Sequence, residues 1–430
     1  MNDMTTIGAI ADIFDGPHAT PNKTEDGPYF MNIASLQNGR LVLADSAHLS
    51  DEDFVRWTKR VTPKENDLLF SYETRLGEAA LMPLGIKACL GRRMGLLRPK
   101  LDKVDPQFLL YSYLGPHFQS EVVANTIKGA TVERISVSEI GNFKIRVPDK
   151  VEQKRIAAVL SALDAKIDLN NRINAELDAL AKTIYDYWFV QFDFPDTNSR
   201  PYKSSGGAMA WNDTLKREIP AGWNVAKLSS WIAKQKTGEW GYSERSDNNE
   251  LQVTCIRGAD INALNGAGEL KAPTRYISSS KSGKFLASHD IVIEISGGSP
   301  TQSTGRAALI SPEVIERFDT PLVCSNFCKA LSLEDPERAH EFLQLWNALY
   351  SAGIFFGWEG KTSGIKNLQF DAFVENHSVP VAPAELSHKF QNISRSMEKR
   401  KQNGLRENLE LTQLRDWLLP LLMNGQVRVG

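Results

Sequence analysis

Gly360-Lys361-Thr362 is the tripeptide that closes a nucleotide-binding loop, and such a loop would bring phosphate chemistry. The full motif needs G-x-x-x-x-G-K-[ST] behind a buried strand, so that backbone N–H groups cradle phosphates and the lysine reaches the terminal ones. The first glycine of that pattern falls on Phe355, and Gly353-Ile-Phe-Phe356 is bulky where the loop must be small. The stretch is not read as a nucleotide site. Lysine among small and hydroxyl residues still offers an ammonium, a hydroxyl and backbone N–H groups, which bind phosphate oxygens outside any nucleotide fold.

No other spacing supplies a reaction. H-E-x-x-H, G-x-S-x-G and G-x-G-x-x-G behind a strand are missing, as is the Asn-Pro-Pro-aromatic tetrapeptide of adenine methyltransferases. The 7 histidines include no two at helical ligand spacing. Cys324 and Cys328 stand C-x-x-x-C with no second pair nearby, so no zinc site is expected. Asp12 and Asp15 are close carboxylates of a kind that ordinary surfaces carry. The reading is a chain with no catalytic residue, no metal and no cofactor of its own.

What such a chain touches is indicated by its charge. The net charge is −2 over 430 residues, whereas a nucleic-acid binder usually shows a basic excess. The basic residues are nevertheless gathered: Lys87 to Lys100 holds 5 and Lys271 to Lys284 holds 4, with no acid in either run. Local patches on a neutral chain suit limited contact with phosphates, although solvated surface gives the same pattern. Apolar content is 42% and charged content 24%, ordinary for a soluble protein of two or three domains. No run of 18 apolar residues and no basic-then-apolar leader is present, so neither membrane insertion nor secretion is expected. With only 4 cysteines, a reduced, cytoplasmic setting fits.

These residues belong to a duplicated frame. Tyr29-Phe-Met-Asn-Ile-Ala-Ser-Leu36 resembles Thr254-Cys-Ile-Arg-Gly-Ala-Asp-Ile261, and Asn66-Asp-Leu-Leu-Phe70 resembles His289-Asp-Ile-Val-Ile293. Gly77-Glu-Ala-Ala-Leu81 matches Gly305-Arg-Ala-Ala-Leu309, and Lys128-Gly-Ala-Thr-Val-Glu-Arg-Ile135 matches Lys361-Thr-Ser-Gly-Ile-Lys-Asn-Leu368. Each match is weak, but their common order indicates two copies of one module. Asp290 to Ile295 reads as a buried strand and Phe143 to Val147 as a half-buried one.

Each copy is followed by a long heptad-patterned helix. The first seam reads Ile156, Leu160, Leu163, Ile167, Asn170, Asn174, Leu177, Ala181, Ile184, Trp188, with Asp149 as its cap and Asp193-Phe-Pro195 as its end. The second starts after Pro383 and reads Phe390, Ile393, Met397, Arg400, Gly404, Glu407, Leu411, Leu414, Leu418, Leu421, with Pro420 and Gly425 at its end. A helix of about 39 residues spans roughly 58 Å. The two are expected to pair antiparallel, with Asn170 and Asn174 fixing register. The alternative is a pair of ordinary core helices. The fold class is α+β, with two similar mixed α/β domains separated by two long antiparallel helices as a coiled-coil spacer. The expected divisions are residues 1–150, 151–195, 196–383 and 384–430. Such a frame suits reading two things at a fixed spacing, as on duplex DNA.

In these stretches the chain resembles the specificity subunits of type I restriction–modification systems, over nearly its whole length. The residues that carry the resemblance are Gly16-Pro-His-Ala-Thr-Pro21, Phe70-Ser-Tyr-Glu-Thr-Arg-Leu-Gly77, Leu90-Gly-Arg-Arg-Met94 and Gly129-Ala-Thr131 in the first half. Glu152-Gln-Lys-Arg-Ile156, Ile219-Pro-Ala-Gly-Trp223 and Leu414-Arg-Asp-Trp-Leu-Leu-Pro-Leu-Leu422 continue it. The resemblance implies two target-recognition domains, each reading half of a split, asymmetric site in double-stranded DNA. It implies a helix pair that sets the gap and holds two methyltransferase subunits, which restriction subunits then join. S-adenosylmethionine and ATP would sit on those partners, with no cofactor on this chain.

By the same resemblance, DNA contacts fall on His18, Thr20 and Lys23, with Lys236, Thr237 and Tyr242 at the matching place in the second domain. Arg75 and Arg306 follow a matched strand. Lys128, Thr131 and Arg134 match Lys361, Ser363 or Gly364, and Asn367. Where the first domain has Gly16-Pro-His-Ala-Thr-Pro21, the second has Lys236-Thr-Gly-Glu-Trp-Gly241, so two different half-sites are expected. Two other functions stay open here: a stand-alone sequence-specific DNA-binding protein without methyltransferase partners, and an enzyme with an unrecognised site. Leu169, Ile173 and Leu180 on the first helix, with Leu405 and Leu409 on the second, lie off the seams. Extra apolar stripes favour extra partners.

Overall fold

The structure, a computed structural model, describes residues 3–17, 19–129, 132–362 and 364–429, excepting the side chains of residues 361 and 362. The chain forms two compact units, one of Met1–Ile167 with Leu409–Gly430, the other of Asp168–Asn408.

In the first unit, Ala11–Asp15, Met94–Pro99, Leu68–Ser71 and Ala79–Leu81 lie side by side as an antiparallel sheet. Thr24–Phe30 pairs antiparallel with Ala47–His48 and parallel with Ala88–Cys89. Met4–Thr6 pairs with Lys144–Arg146. The second unit repeats all three arrangements. Its sheet runs Ile232–Thr237, Cys328–Leu333, Asp290–Glu294, Ala307–Ile310. Leu251–Ile256 pairs antiparallel with Thr274–Ile277 and parallel with Leu322–Cys324. Asn224–Lys227 pairs with Ser378–Val381. Recurrence of strand order, direction and chain order marks a duplication.

The central strands are continuous apolar runs because both of their faces are covered. Leu68–Ser71 and Asp290–Glu294 are buried throughout. In the first unit Leu68 and Phe70 enter one core while Leu69 enters another. In the second, Ile291 and Ile293 face one core and Val292 the other. The alternating strand near residue 145 is shorter than expected, Lys144–Arg146, with Ile145 buried.

Helices follow both terminal strands. Lys150–Tyr185 begins where Asp149 Oδ1 accepts from the N–H groups of Val151 and Glu152, each at 2.9 Å. It gives way to a wider π turn, Asp186–Val190, before the expected end. Along its seam Ile156, Leu160, Ile167, Asn170, Asn174 and Ala181 are buried, and Leu163, Leu177, Ile184 and Trp188 are half-buried. The second helix, Ala384–Met423, starts as expected. Pro420 does not end it but lies in its last turn, where Asn424 N–H still bonds to Pro420 O at 3.0 Å. Gly425, at φ 70°, supplies the left-handed residue behind that end.

The second seam needs correction. Ile393 and Leu414 are 39% and 42% exposed, and Arg400 is exposed. The buried line instead takes in Phe390, Ser394, Lys401, Gln402 and Leu422, with Met397, Gly404, Glu407, Leu411, Leu418 and Leu421 half-buried. The line shifts because polar side chains there find partners. Gln391 Oε1 accepts from the His340 backbone N–H at 3.0 Å, and Lys401 lies between Asp178 and Glu398 at 2.9 and 3.0 Å. Within the second unit, Asn170 meets Glu407 and Asn408 while Asp178 meets Lys401. Rising numbers on one helix meeting falling numbers on the other define an antiparallel pair. No helix among the described residues is long and apolar enough to cross a membrane.

Candidate nucleic-acid interface

One edge of each main sheet gathers the loops on which contact residues were expected. In the first unit, Ala11–Asp15 and Leu68–Ser71 end where Met94–Pro99 begins. The Gly16 N–H bonds to Met94 O at 2.8 Å. A Cβ on Gly16 would lie 2.7 Å from both Gly91 O and Met94 O, so only glycine lets these loops approach so closely. The third loop is tied on by Thr74 N–H to Glu133 O at 3.2 Å and Ile135 N–H to Tyr72 O at 2.9 Å. Arg134 bridges backbone to both Glu73 and Ile127.

The second unit builds the same edge from different residues. A Cβ on Gly238 would lie 1.9 Å from Ser325 O, and the Glu239 N–H bonds to Cys324 O at 2.7 Å. Leu368 N–H bonds to Ile295 O at 2.8 Å, as Ile135 does to Tyr72. Asn367 pairs with Ser296 and Gly360, as Arg134 does with Glu73 and Ile127. Arg134 and Asn367 thus hold one structural position, as the sequence match expected.

Of the expected contacts in the first unit, Thr20, Lys23, Lys128 and Arg134 are exposed on these loops. Arg75 is partly withdrawn, donating to Glu78 Oε1 at 3.1 Å and Ile33 O at 3.3 Å. His18 and Thr131 lie outside the described residues, as does Ser363. In the second unit Thr237 and Tyr242 are exposed. Lys361 sits in the strand Glu359–Thr362, opposite Ile365–Leu368. Asn367 Oδ1 accepts from Ser296 Oγ at 2.6 Å.

Two expected contacts point elsewhere. The Lys236 ammonium donates to Phe285 O at 3.0 Å and pairs with Asp290, the two side chains being 9% and 2% exposed. Lys236 follows the strand alternation into the protein, so its charge neutralises a buried carboxylate. Arg306 makes a fork with Glu294, Nε to Oε2 at 2.8 Å and Nη2 to Oε1 at 2.6 Å. That bonding holds the guanidinium above its ordinary pKa and leaves little charge to offer a phosphate.

The second unit's edge opens into a cleft of about 590 Å³ that the sequence reading did not single out. Trp240, Arg257, Glu294, Ser296, Phe327 and Ile365 are among its lining residues. Phe327 is 51% exposed, and the Arg275 guanidinium stands over the Trp240 ring at 4.3 Å. Trp240 and Phe327 carried a signal, since each is an aromatic in a polar loop, Gly238-Glu-Trp-Gly241 and Ser325-Asn-Phe327. Arg257 carried another, because it stands opposite Asn32 in the internal match. Exposed Arg92 in the first unit lies within the Leu90–Met94 stretch that carried the resemblance. Exposed cations, amides and aromatics on rigidly tied loops can hold phosphates and base edges.

Comparison with known proteins follows the same line. Residues 3–179 match the family described as the type I restriction modification DNA specificity domain. The chain is 23% identical over 376 residues to the type I restriction enzyme MjaIX specificity subunit of Methanocaldococcus jannaschii, covering 86% of this chain and 79% of that protein. It is 22% identical over 447 residues to the HindI specificity subunit of Haemophilus influenzae, covering 93% and 94%. The crystal structure of a type I restriction–modification S subunit from M. genitalium shares the fold, with a TM-score of 0.58, 17% identity and coverage of 98% and 95%.

Proposed function

We propose, for a chain that belongs to the type I restriction–modification specificity subunits, that it is the non-catalytic member that chooses the DNA site. Each unit reads one half of a bipartite, asymmetric site in double-stranded DNA, and the paired helices set the spacing between the halves. The observation that carries this reading is the repeated sheet edge, with Arg134 in one unit where Asn367 stands in the other. One scaffold with different side chains suits two different half-sites, because arginine favours guanine and asparagine favours adenine.

The helices would also hold two methyltransferase subunits, with restriction subunits joining them. Leu169, Leu180 and Leu409, 40%, 50% and 55% exposed, support a role in holding partners. S-adenosylmethionine and ATP would be bound by those partners in the cytoplasm.

The test is to co-express this chain with its neighbouring methyltransferase subunit in an unmethylated host and to sequence the DNA for modified adenine. A split, asymmetric motif methylated only in the presence of this chain is expected. No new methylation from an assembled complex, whose methyltransferase is active beside another specificity subunit, would refute the reading and leave a stand-alone DNA-binding protein.

A further inference from the structure

Arg257 stands at the cleft where the repeat places Asn32 in the first unit, each directly ahead of a short 3-10 turn, Gly258–Asp260 or Ile33–Ser35. The local design is shared: the Asn32 N–H bonds to Ser35 Oγ at 3.2 Å, and the Arg257 N–H bonds to Asp260 Oδ2 at 3.0 Å. The side chains differ in what they leave available. Asn32 is used locally, its Oδ1 accepting from Ala34 N–H at 2.7 Å and its Nδ2 donating to Asp45 O at 2.7 Å. Arg257 is braced through two of its three nitrogens. Its Nε and Nη2 donate to Asp260 at 2.8 and 3.0 Å, and Nη2 also reaches Lys271 O at 2.7 Å. These bonds leave Nη1, with its two N–H groups, as the nitrogen to face a ligand. The brace is itself fixed, because Asp260 is 1% exposed and also accepts from Lys271 N–H at 3.2 Å.

The cleft around this guanidinium is kept open by small residues. A Cβ on Gly258 would lie 2.7 Å from Glu294 Oε1, and one on Gly297 would lie 3.1 Å from the same atom. The Glu294 carboxylate on the cleft wall is already neutralised by Arg306. With Arg257 likewise paired to Asp260, what the cleft offers is the Nη1 donor and not a net charge. A donor favours an acceptor-bearing ligand, and Trp240, Phe327 and Ile365 give it apolar faces to lie against. A guanidinium held by a carboxylate on one side has lost the freedom that an unbraced arginine loses on binding.

Resting on the proposed reading of the second unit, we infer that this cleft receives a guanine of its half-site, with Arg257 as the specificity-determining donor to the base's acceptor edge. Guanine is the base whose exposed edge carries two adjacent acceptors, N7 and O6, and the two N–H groups of Nη1 can be shared between them. Trp240 and Phe327 act as positioning residues that hold the base edge against the guanidinium.

The experiment is methylation mapping of the full chain with its methyltransferase subunit, comparing the native protein with R257K, R257A and F327A. The native motif is expected to contain a guanine in one half. R257K and R257A are expected to relax that one position, with roughly tenfold loss of discrimination, and to leave the other half intact. F327A is expected to slow methylation at the same motif without changing its sequence. R257K keeps a cation beside buried Asp260, so it serves if R257A fails to fold. A native split motif that R257K leaves unchanged would overturn the assignment of Arg257 while the reading of the chain stands. A native motif with no guanine on either strand of the affected half would do the same. No split motif at all would remove the assignment together with the proposed function.

Discussion

Asn66 and His289 adopt the same left-handed backbone, φ 69° and 70°, each one residue ahead of a buried aspartate, Asp67 or Asp290. Asp67 directly precedes and Asp290 begins a central strand, and each holds a cation, Arg98 for Asp67 and Lys236 for Asp290. Asparagine tolerates the left-handed region better than histidine does. His289 is therefore the strained copy. His289→Gly should stabilise the second unit by roughly 0.5–1 kcal/mol and raise its melting temperature by about 2 °C. Asn66→Gly should change stability less. Thermal denaturation of both variants checks the difference, and equal shifts would contradict it.

The pair below that turn separates two kinds of lysine. Lys236→Met leaves Asp290 buried with acceptor bonds from Ala287 N–H at 2.7 Å and Ser332 Oγ at 2.6 Å but no cation. It should destabilise the second unit by about 3–5 kcal/mol. Lys128→Ala, on an exposed loop, should leave the melting temperature unchanged. If Lys128 meets a phosphate, the substitution should weaken binding to all duplexes alike and reduce the salt slope by about 0.9. Denaturation alongside DNA binding at several salt concentrations distinguishes the two.

The contrast shows what was legible in the sequence. The internal matches place Asp290 and Asp67 at equivalent points, and in the structure both stand at the start of equivalent strands, Leu68–Ser71 and Asp290–Glu294. The rule of strand alternation was available too, but it does not say which face of Ile232–Thr237 is covered. Lys236 therefore read as a loop-end contact, although it packs inward. Arg306 departs from the expectation for a related reason: its partner Glu294 lies across a sheet turn, and no spacing rule names such pairs. On the second helix, the heptad rule followed apolar letters and missed Lys401 and Gln402, which are buried because their polar groups are satisfied.

Glu341 gives the second unit a pH dependence. Burial pushes its carboxyl up from the ordinary 4.5 to about 7, with Arg338 pulling the other way. Between those values the unfolded chain releases a proton that the folded chain keeps. Stability must then fall as pH rises from 4.5 to 7, by up to about 3 kcal/mol for this one group. Glu341→Gln removes the titration, so its stability should vary less over that window and exceed the native protein's most clearly near pH 7. Urea denaturation at pH 5, 6 and 7 measures the slope, and an unchanged slope would rule the assignment out.

Lys401 tests whether the helix pair in the second unit relies on its buried charge. Its side chain is 7% exposed, against Glu398 at 13% and Asp178 at 53%. Burial works against the charged lysine, but Glu398 and Asp178 together hold its pKa above the usual value. Removing the lysine alone strands Glu398, whereas Asp178 keeps water. Lys401→Met should therefore destabilise the unit by about 3–5 kcal/mol. Adding Glu398→Gln should recover most of that loss, because the buried carboxylate no longer needs a cation. A double-mutant cycle by thermal denaturation gives the coupling directly. Additive losses would mean that the pair is held by its apolar neighbours, such as Phe390 and Tyr185, and that the buried charge is only tolerated there.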